Sequence, residues 1–300
     1  MNIFITGGLG FVGRHLSKAL LQDGHRVTAV GRTPDPQGID HPAFRYLAAD
    51  TTLAGEWQGE LQDYEAVVNL AGKSIFTPWT NKAKEEIYDS RILTTRNLVA
   101  ALPENQEMIL CSTSAVGYYG DRGEDVLTED EEPGDDFLAK VGLDWEAEAL
   151  AAEKKGARVV LPRFGIVLDL DGGAMASMMP AFRMFAGGAL GSGRQWFPWI
   201  HMVDLVAALR FLIDTPGLRG PFNCTAPEPV RNKELARTLG RKLHRPACMP
   251  APAFLIKLVL GEFGQVLLGS QRAVPQKLSD AGFSFQYPDI DAALGEIVTR

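Results

Sequence analysis

Cysteine is scarce in this chain. Cys111, Cys224 and Cys248 are an odd, scattered set. That excludes a disulfide framework and offers no metal-ligand spacing, so the expectation is reduced thiols in a cytoplasmic protein with no bound metal. Excess positive charge is also missing. The formal net charge is −7, which argues against nucleic acid or an anionic membrane surface as a partner. No apolar run is long enough to span a bilayer, and the first residues carry no signal-peptide pattern. Internal repeats, low-complexity tracts and long linkers are absent. What remains is an ordinary globular composition, 46% hydrophobic and 22% charged over 300 residues. That length can bury one large core or two closely joined ones.

The start of the chain carries the strongest pattern. Asn2 to Thr6 is a short apolar run that favours a strand, and it leads into Gly7-Gly8-Leu9-Gly10-Phe11-Val12-Gly13. Leu16, Ala19 and Leu20 then recur at helical spacing, Gly24 closes the helix, and His25 to Val30 reads as a second strand. A glycine turn between a strand and a helix is the context for dinucleotide binding; a surface turn would lack those flanks. The early glycines permit a tight turn, Gly10 lets backbone approach a pyrophosphate, and Gly13 lets the helix pack close. Phe11 and Val12 open the helix, whose free N–H groups and positive dipole end suit phosphate. Both Gly8-x-Gly10-x-x-Gly13 and Gly7-x-x-Gly10-x-x-Gly13 fit. The second, preceded by Thr6, resembles the extended short-chain dehydrogenase/reductase superfamily.

The second strand ends at Val30-Gly31-Arg32. An NAD site usually has an acid here for the ribose hydroxyls, and an acid repels a 2′-phosphate that an arginine pairs with. Arg32, with Arg14 able to assist, therefore favours NADP over NAD; the alternative is two solvated arginines. Asp35 follows Pro34 and is read as pointing away. Phe44 to Ala49 reads as a third strand ending at Asp50, which in the superfamily commonly faces the adenine and otherwise caps the next turn. Asn69-Leu70-Ala71-Gly72 ends a buried fourth strand and resembles the Asn-x-Ala-Gly whose backbone borders the cofactor.

Thr80 to Ala101 is a long helical pattern. Arg91 stands where the resemblance expects the asparagine of Asn-x-x-x-Thr. It either contacts the cofactor or an anionic substrate, with Glu86 orienting it or touching a ribose, or forms a surface Glu–Arg pair with Glu86. Met108 to Ser112 is the fifth strand and enters Ser112-Thr113-Ser114-Ala115-Val116-Gly117-Tyr118-Tyr119-Gly120. The resemblance makes Ser114 the hydroxyl that meets a reacting carbonyl. It also calls for Tyr-x-x-x-Lys, in which lysine keeps the tyrosine acidic enough for proton transfer. The six tyrosines are followed four places later by Asp50, Val68, Ile92, Arg122, Gly123 and Asp291. None is lysine. The expected helix, Asp136 to Glu146, holds Lys140 but no tyrosine four places before it.

The missing dyad, the arginine for asparagine, Ser-Ala-x-Gly-Tyr-Tyr-Gly and Asp-Trp-Glu are together similar to an atypical group within the superfamily. It is labelled epimerase-family oxidoreductases and carries a small C-terminal domain of unknown function. Gly142 stands where that group often has cysteine. The resemblance places Pro162 to Leu168 along the nicotinamide side, with Val167 near the cofactor. Gly172 to Phe185 is a Met-rich helix, read as core packing rather than a cleft lining. Gly191 to Asp204 resembles the group's Gly-Ser-Gly-x-Gln and Trp-Ile-His-x-x-Asp, in which His201 and Asp204 are loop anchors or acid/base residues. Gln271 to Pro275 and Ala281 to Phe283 resemble the C-terminal domain.

The resulting expectation is an α/β fold: a doubly wound parallel sheet, an NAD(P)-binding Rossmann domain over residues 1–165, and a smaller substrate lobe over 166–300 that includes a C-terminal domain at 250–300. Some later strands should return to the main sheet. One functional reading is an NADP-dependent oxidoreductase or nucleoside-sugar-epimerase-like enzyme acting on an unknown small molecule. In it Ser114 polarises a carbonyl, and Tyr118, Lys140 or a water held by Arg91 supplies the proton. The other reading is an NADP(H)-binding sensor or scaffold that does no chemistry. Oligomeric state is left open.

Overall fold

The computed structural model describes residues 1–34, 38–104 and 107–299. Its central sheet is built from β1 (Asn2–Thr6), β2 (Arg26–Gly31), β3 (Phe44–Ala48), β4 (Ala66–Asn69), β5 (Ile109–Ser112), β6 (Arg158–Phe164) and β7 (Gly220–Cys224). Their order is β3-β2-β1-β4-β5-β6-β7, and Ser114–Ala115 adds a short stretch beside the end of β6. Every neighbouring pair is parallel. The order reverses between β1 and β4, so a crevice opens at their carboxyl ends.

Side-chain alternation along the strands explains the layers. Ile3 and Ile5 face one core with Leu16 and Leu20 of α1 (Phe11–Gln22). Phe4 and Val67 face the other, with Leu98 of α2 (Asn81–Ala101) and Ala149 of α3 (Phe137–Leu150). A parallel sheet covered on both faces requires such apolar strands. Two side chains start the helices: Thr80 Oγ1 accepts the Ala83 N–H at 3.1 Å, and Asp136 Oδ1 accepts the Ala139 N–H at 2.8 Å.

The chain beyond residue 165 is not all peripheral. β7 joins the main sheet, and α5 (Met202–Asp214) packs beside α1 through Leu205 and Leu209. A further core lies between α4 (Gly173–Arg183), α6 (Asn232–Lys242) and α10 (Ile290–Thr299), where Met175 and Met179 meet Leu235, Leu239 and Leu294. Those two methionines of the Met-rich helix are core side chains, as expected. Short helices α7 (Ala253–Leu260), α8 (Glu262–Leu268) and α9 (Gln276–Asp280) complete the C-terminal part. Phe263 of α8 contacts Phe76 and Trp79, ring centroids 5.6 Å apart in both pairs. The C-terminal part is thereby fastened to the loop after β4.

His201 and Asp204 also act as fasteners. His201 is fully buried; its Nδ1 accepts the Val203 N–H at 3.2 Å and its Nε2 lies 3.0 Å from Glu296 Oε2. The Asp204 carboxylate accepts the backbone N–H groups of Gln286 and Tyr287 at 2.7 and 2.9 Å. Among the described residues no helix is long and apolar enough to cross a membrane.

Candidate cofactor and substrate site

At the reversal point β1 ends in Thr6, whose Oγ1 donates to Asn69 Oδ1 at 2.7 Å. Asn69 Nδ2 donates onward to Thr95 Oγ1 at 2.8 Å and Ser112 Oγ at 3.2 Å. The ends of β1, β4 and β5 are thus tied from below. Gly7 then turns with φ +68°, and a Cβ there would lie 3.0 Å from the Leu70 carbonyl oxygen and 3.1 Å from the Ala71 nitrogen. The glycine turn therefore sits directly against the Leu70-Ala71-Gly72 backbone. At Gly13 a Cβ would be 2.2 Å from the Gly7 carbonyl oxygen, so only glycine lets α1 start this close to the strand.

Gly10 caps α1 without any side-chain hydrogen bond, and the first turn contains no acidic residue. That start, with Phe11 and Val12 following Gly10, fits a pyrophosphate. Phe11 also meets the chain arriving from Val167: a Cβ at Gly172 would be 2.7 Å from its ring. His15, Asp169 and Asp171 bring one ligand atom each within 4.8 Å of one another. His15 Nε2 is 3.5 Å from Asp171, a contact that holds this loop over the first turn of α1.

The ribose end is more open. Arg32 is exposed and meets no carboxylate among the described residues. Asp35 lies outside those residues. Asp50 Oδ1 accepts the Thr52 N–H at 3.0 Å and the Thr52 hydroxyl at 2.7 Å. Asp50 therefore does cap the next turn, whatever else its second oxygen meets.

Across the crevice, Glu86 pairs with Lys73 rather than with Arg91. The Glu–Arg surface pair weighed from the sequence does not form, because Arg91 turns inward. Its Nη1 donates to the carbonyls of Lys73 (3.0 Å) and Ile87 (2.9 Å). Its guanidinium lies 5.2 Å from the Trp145 ring, and a Cβ at Gly72 would be 3.1 Å from its Cζ. Burial without a carboxylate partner brings its pKa down to about 10.

Beyond β5, Ser114 is buried and donates to Glu146 Oε1 at 2.6 Å. Arg163 holds the same carboxylate bidentately, Nε to Oε1 and Nη2 to Oε2, both at 2.8 Å. Arg163 Nη1 donates to the Tyr119 oxygen at 2.8 Å, and Tyr119 donates to Asn223 Oδ1 at 2.7 Å. Tyr118 lies over Arg163, with Cζ 3.7 Å from its ring centroid. Burial raises the Tyr118 pKa, and nearby Arg163 pulls only partly the other way. Tyr119, more deeply buried, is pushed up to about 12. Glu146, Arg163, Tyr119 and Asn223 come from four separate segments, and no spacing rule connects them. The Asp-Trp-Glu motif, the Ser114 to Gly120 stretch and the Pro162 to Leu168 segment each carried one piece of this network, but nothing in the sequence joined them.

Comparison with known proteins agrees with this geometry. Residues 3–224 match the model of the NAD dependent epimerase/dehydratase family, and residues 251–297 match DUF1731, a domain of unknown function. The chain belongs to the NAD dependent epimerase/dehydratase family. Within that family it is 41% identical to a chloroplastic SDR39U1 homolog of Arabidopsis thaliana, over 99% of this chain and 87% of the relative. It is 38% identical to epimerase family protein YfhF of Bacillus subtilis, covering 99% and 98%. The crystal structure of human epimerase family protein SDR39U1 with NADPH superposes with TM-score 0.87 at 32% identity, covering all of both chains. The fold and family implied by the motifs are therefore correct.

For an epimerase-family chain, the proton-transfer side departs most from the Tyr-x-x-x-Lys pattern. On α3 it is Gly142 that faces Tyr118: a Cβ there would lie 3.3 Å from both Tyr118 Cα and Cβ. Lys140, two residues earlier, points about 200° away around the helix. It is exposed, pairs with Asp144 at 2.8 Å, and lies 6.0 Å from the Tyr88 ring centroid. The structure does not bring Lys140 to Ser114 or Tyr118. That corrects its grouping with them as a proton source.

Proposed function

We propose that this epimerase-family chain binds NADP(H) and acts as an oxidoreductase or nucleoside-sugar-epimerase-like enzyme on a small molecule. The observation that carries the reading is Arg32, exposed and with no acidic partner among the described residues just past β2, beside a glycine cradle with no capping side chain. The human relative's structure was solved with NADPH. Structures at 21% identity or below, such as MoeE5 with NAD, support the fold alone.

In this reading Gly7, Gly10, Phe11, Val12 and Gly13 hold the pyrophosphate, and buried Thr6 acts from below by tying the turn to Asn69. Gly31 and Arg32 receive the 2′-phosphate, Asp50 faces the adenine, and Leu70, Ala71, Gly72 and Val167 border the cofactor. Glu86 acts by holding Lys73 beside Arg91. When bound, the nicotinamide supplies hydride exchange with a substrate carbon. Ser114 has a single proton and gives it to Glu146, so polarising a carbonyl requires it to leave that partner. Arg91 uses only Nη1 toward protein carbonyls, so its other donors are the ready source of positive hydrogen bonds. Tyr118, stacked on Arg163, is the proton-bearing group of this reading.

The second reading, an NADP(H)-binding sensor or scaffold, is favoured by one specific observation: Gly142, not a lysine, faces Tyr118. Titration with NADPH and NADH, followed by a panel of carbonyl and sugar-nucleotide substrates monitored at the nicotinamide absorbance, separates the readings. NADPH binding with turnover supports the enzyme. NADPH binding without turnover supports the sensor, and equal affinity for the two cofactors rejects the NADP assignment.

A further inference from the structure

Tyr46 stands beside the Arg32 turn but belongs to no motif in the chain. It pairs in register with Ala29 across β3 and β2, so the two side chains leave the sheet on the same face. That face carries the glycine turn, since a Cβ at Gly8 would sit 2.6 Å from the Ala29 Cβ. The Tyr46 side chain therefore rises on the cofactor side of the sheet. Its hydroxyl reaches the end of β2, where a Cβ at Gly31 would lie 2.9 Å from Oη. Glycine at position 31 is what lets the phenol come so near the backbone.

The Thr33 backbone pulls the phenol's pKa down, against the larger effect of burial. The phenol's own proton meets no acceptor among the described residues. Partial burial raises the Tyr46 pKa, so the group is a neutral donor in ordinary buffers. Arg32 follows Gly31, the residue whose backbone the hydroxyl approaches, and among the described residues neither its guanidinium nor the phenol proton meets a partner.

We propose that the Tyr46 hydroxyl is a second ligand for the cofactor's 2′-phosphate, beside Arg32, and is thus a specificity-determining residue. The inference rests on the NADP reading above. Tyr46 approaches the backbone at Gly31 and donates its proton to a phosphate oxygen. A 2′-hydroxyl, without the negative charge, gains much less from that donor.

The test measures dissociation constants for NADPH, NADH, adenosine 2′,5′-bisphosphate and adenosine 5′-monophosphate. It uses the full chain and its Tyr46→Phe, Arg32→Ala and Gly31→Ala variants. Tyr46→Phe is expected to weaken NADPH and the bisphosphate about ten-fold, the loss of one charge-assisted hydrogen bond, with NADH and the monophosphate unchanged. Gly31→Ala, which pushes the hydroxyl aside, is expected to act in the same direction. It keeps the proposal testable if Tyr46→Phe misfolds. If wild type prefers NADPH but both variants keep that preference, Tyr46 has no such role while the NADP reading survives. If Tyr46→Phe weakens all four ligands alike, its role is packing and the proposal fails. If wild type binds NADPH and NADH equally, the NADP reading fails and the proposal with it.

Discussion

Ser114 gives its single hydroxyl proton to Glu146, 2.6 Å away in the buried layer between β6 and α3. Since Arg163 holds both oxygens of that carboxylate, the serine faces a fixed acceptor. Ser114→Ala should therefore affect any turnover less than an amino-acid change that removes a free donor. Measured with a working substrate, Arg91→Gln is expected to lower kcat/KM more than Ser114→Ala does. The reverse order would show that Ser114 leaves Glu146 during reaction.

Gly13→Ala should abolish NADPH binding. The new methyl meets the Gly7 carbonyl oxygen at 2.2 Å, and neither partner is a movable side chain, so α1 must shift off the turn. Fluorescence titration with NADPH checks this, with circular dichroism to report whether the fold survives. Unchanged affinity in a folded variant would mean that the phosphate site lies elsewhere.

Arg32→Ala should weaken NADPH by about 1.5–3 kcal/mol, the range for hydrogen bonds to a charged group, and leave NADH within a few tenths. Lys140→Ala should change neither cofactor affinity nor turnover, because the lysine is exposed and its partner is Asp144 on the same helix face, away from the site. A large loss of activity in Lys140→Ala would return that lysine to the site.

Glu146→Gln should destabilise the fold by about 3–5 kcal/mol, because it leaves the buried Arg163 guanidinium without its counter-charge. Denaturant unfolding of the two proteins gives the value directly. A Glu146→Gln, Arg163→Met double variant should recover part of the loss, since removing both charges avoids the unpaired one.

Tyr119 should resist ionisation. Burial raises its pKa to about 12, against the pull of Arg163. The folded state thus keeps a proton that the unfolded chain releases near 10. Its contribution to stability is full below pH 10 and is lost as pH rises toward 12. The difference between wild type and Tyr119→Phe isolates this from other groups titrating there, including Arg91, which burial shifts in the opposite direction. Spectrophotometric titration should show the missing phenol as the one ionising near 12.

The local and repetitive features of this protein were determined by the sequence alone. Strand, glycine turn, helix and strand lie within one short segment, and each glycine's job follows from backbone sterics at that point. The alternation of Ile3, Phe4 and Ile5 and the caps at Thr80 and Asp136 are local in the same way. The family resemblance rested on motifs of this kind. What the tertiary structure alone decided are contacts between distant segments. Glu86 chose Lys73 over Arg91, although both lie within helical or loop reach, because the loop after β4 folds back over α2. Arg163 and Glu146 met because β6 and α3 pack against each other. Gly142 rather than Lys140 came to face Tyr118 because the rotation of α3 is set by Val141 and Trp145, which are buried. Helical periodicity offers both faces of such a segment, and only packing selects the one that turns toward the site.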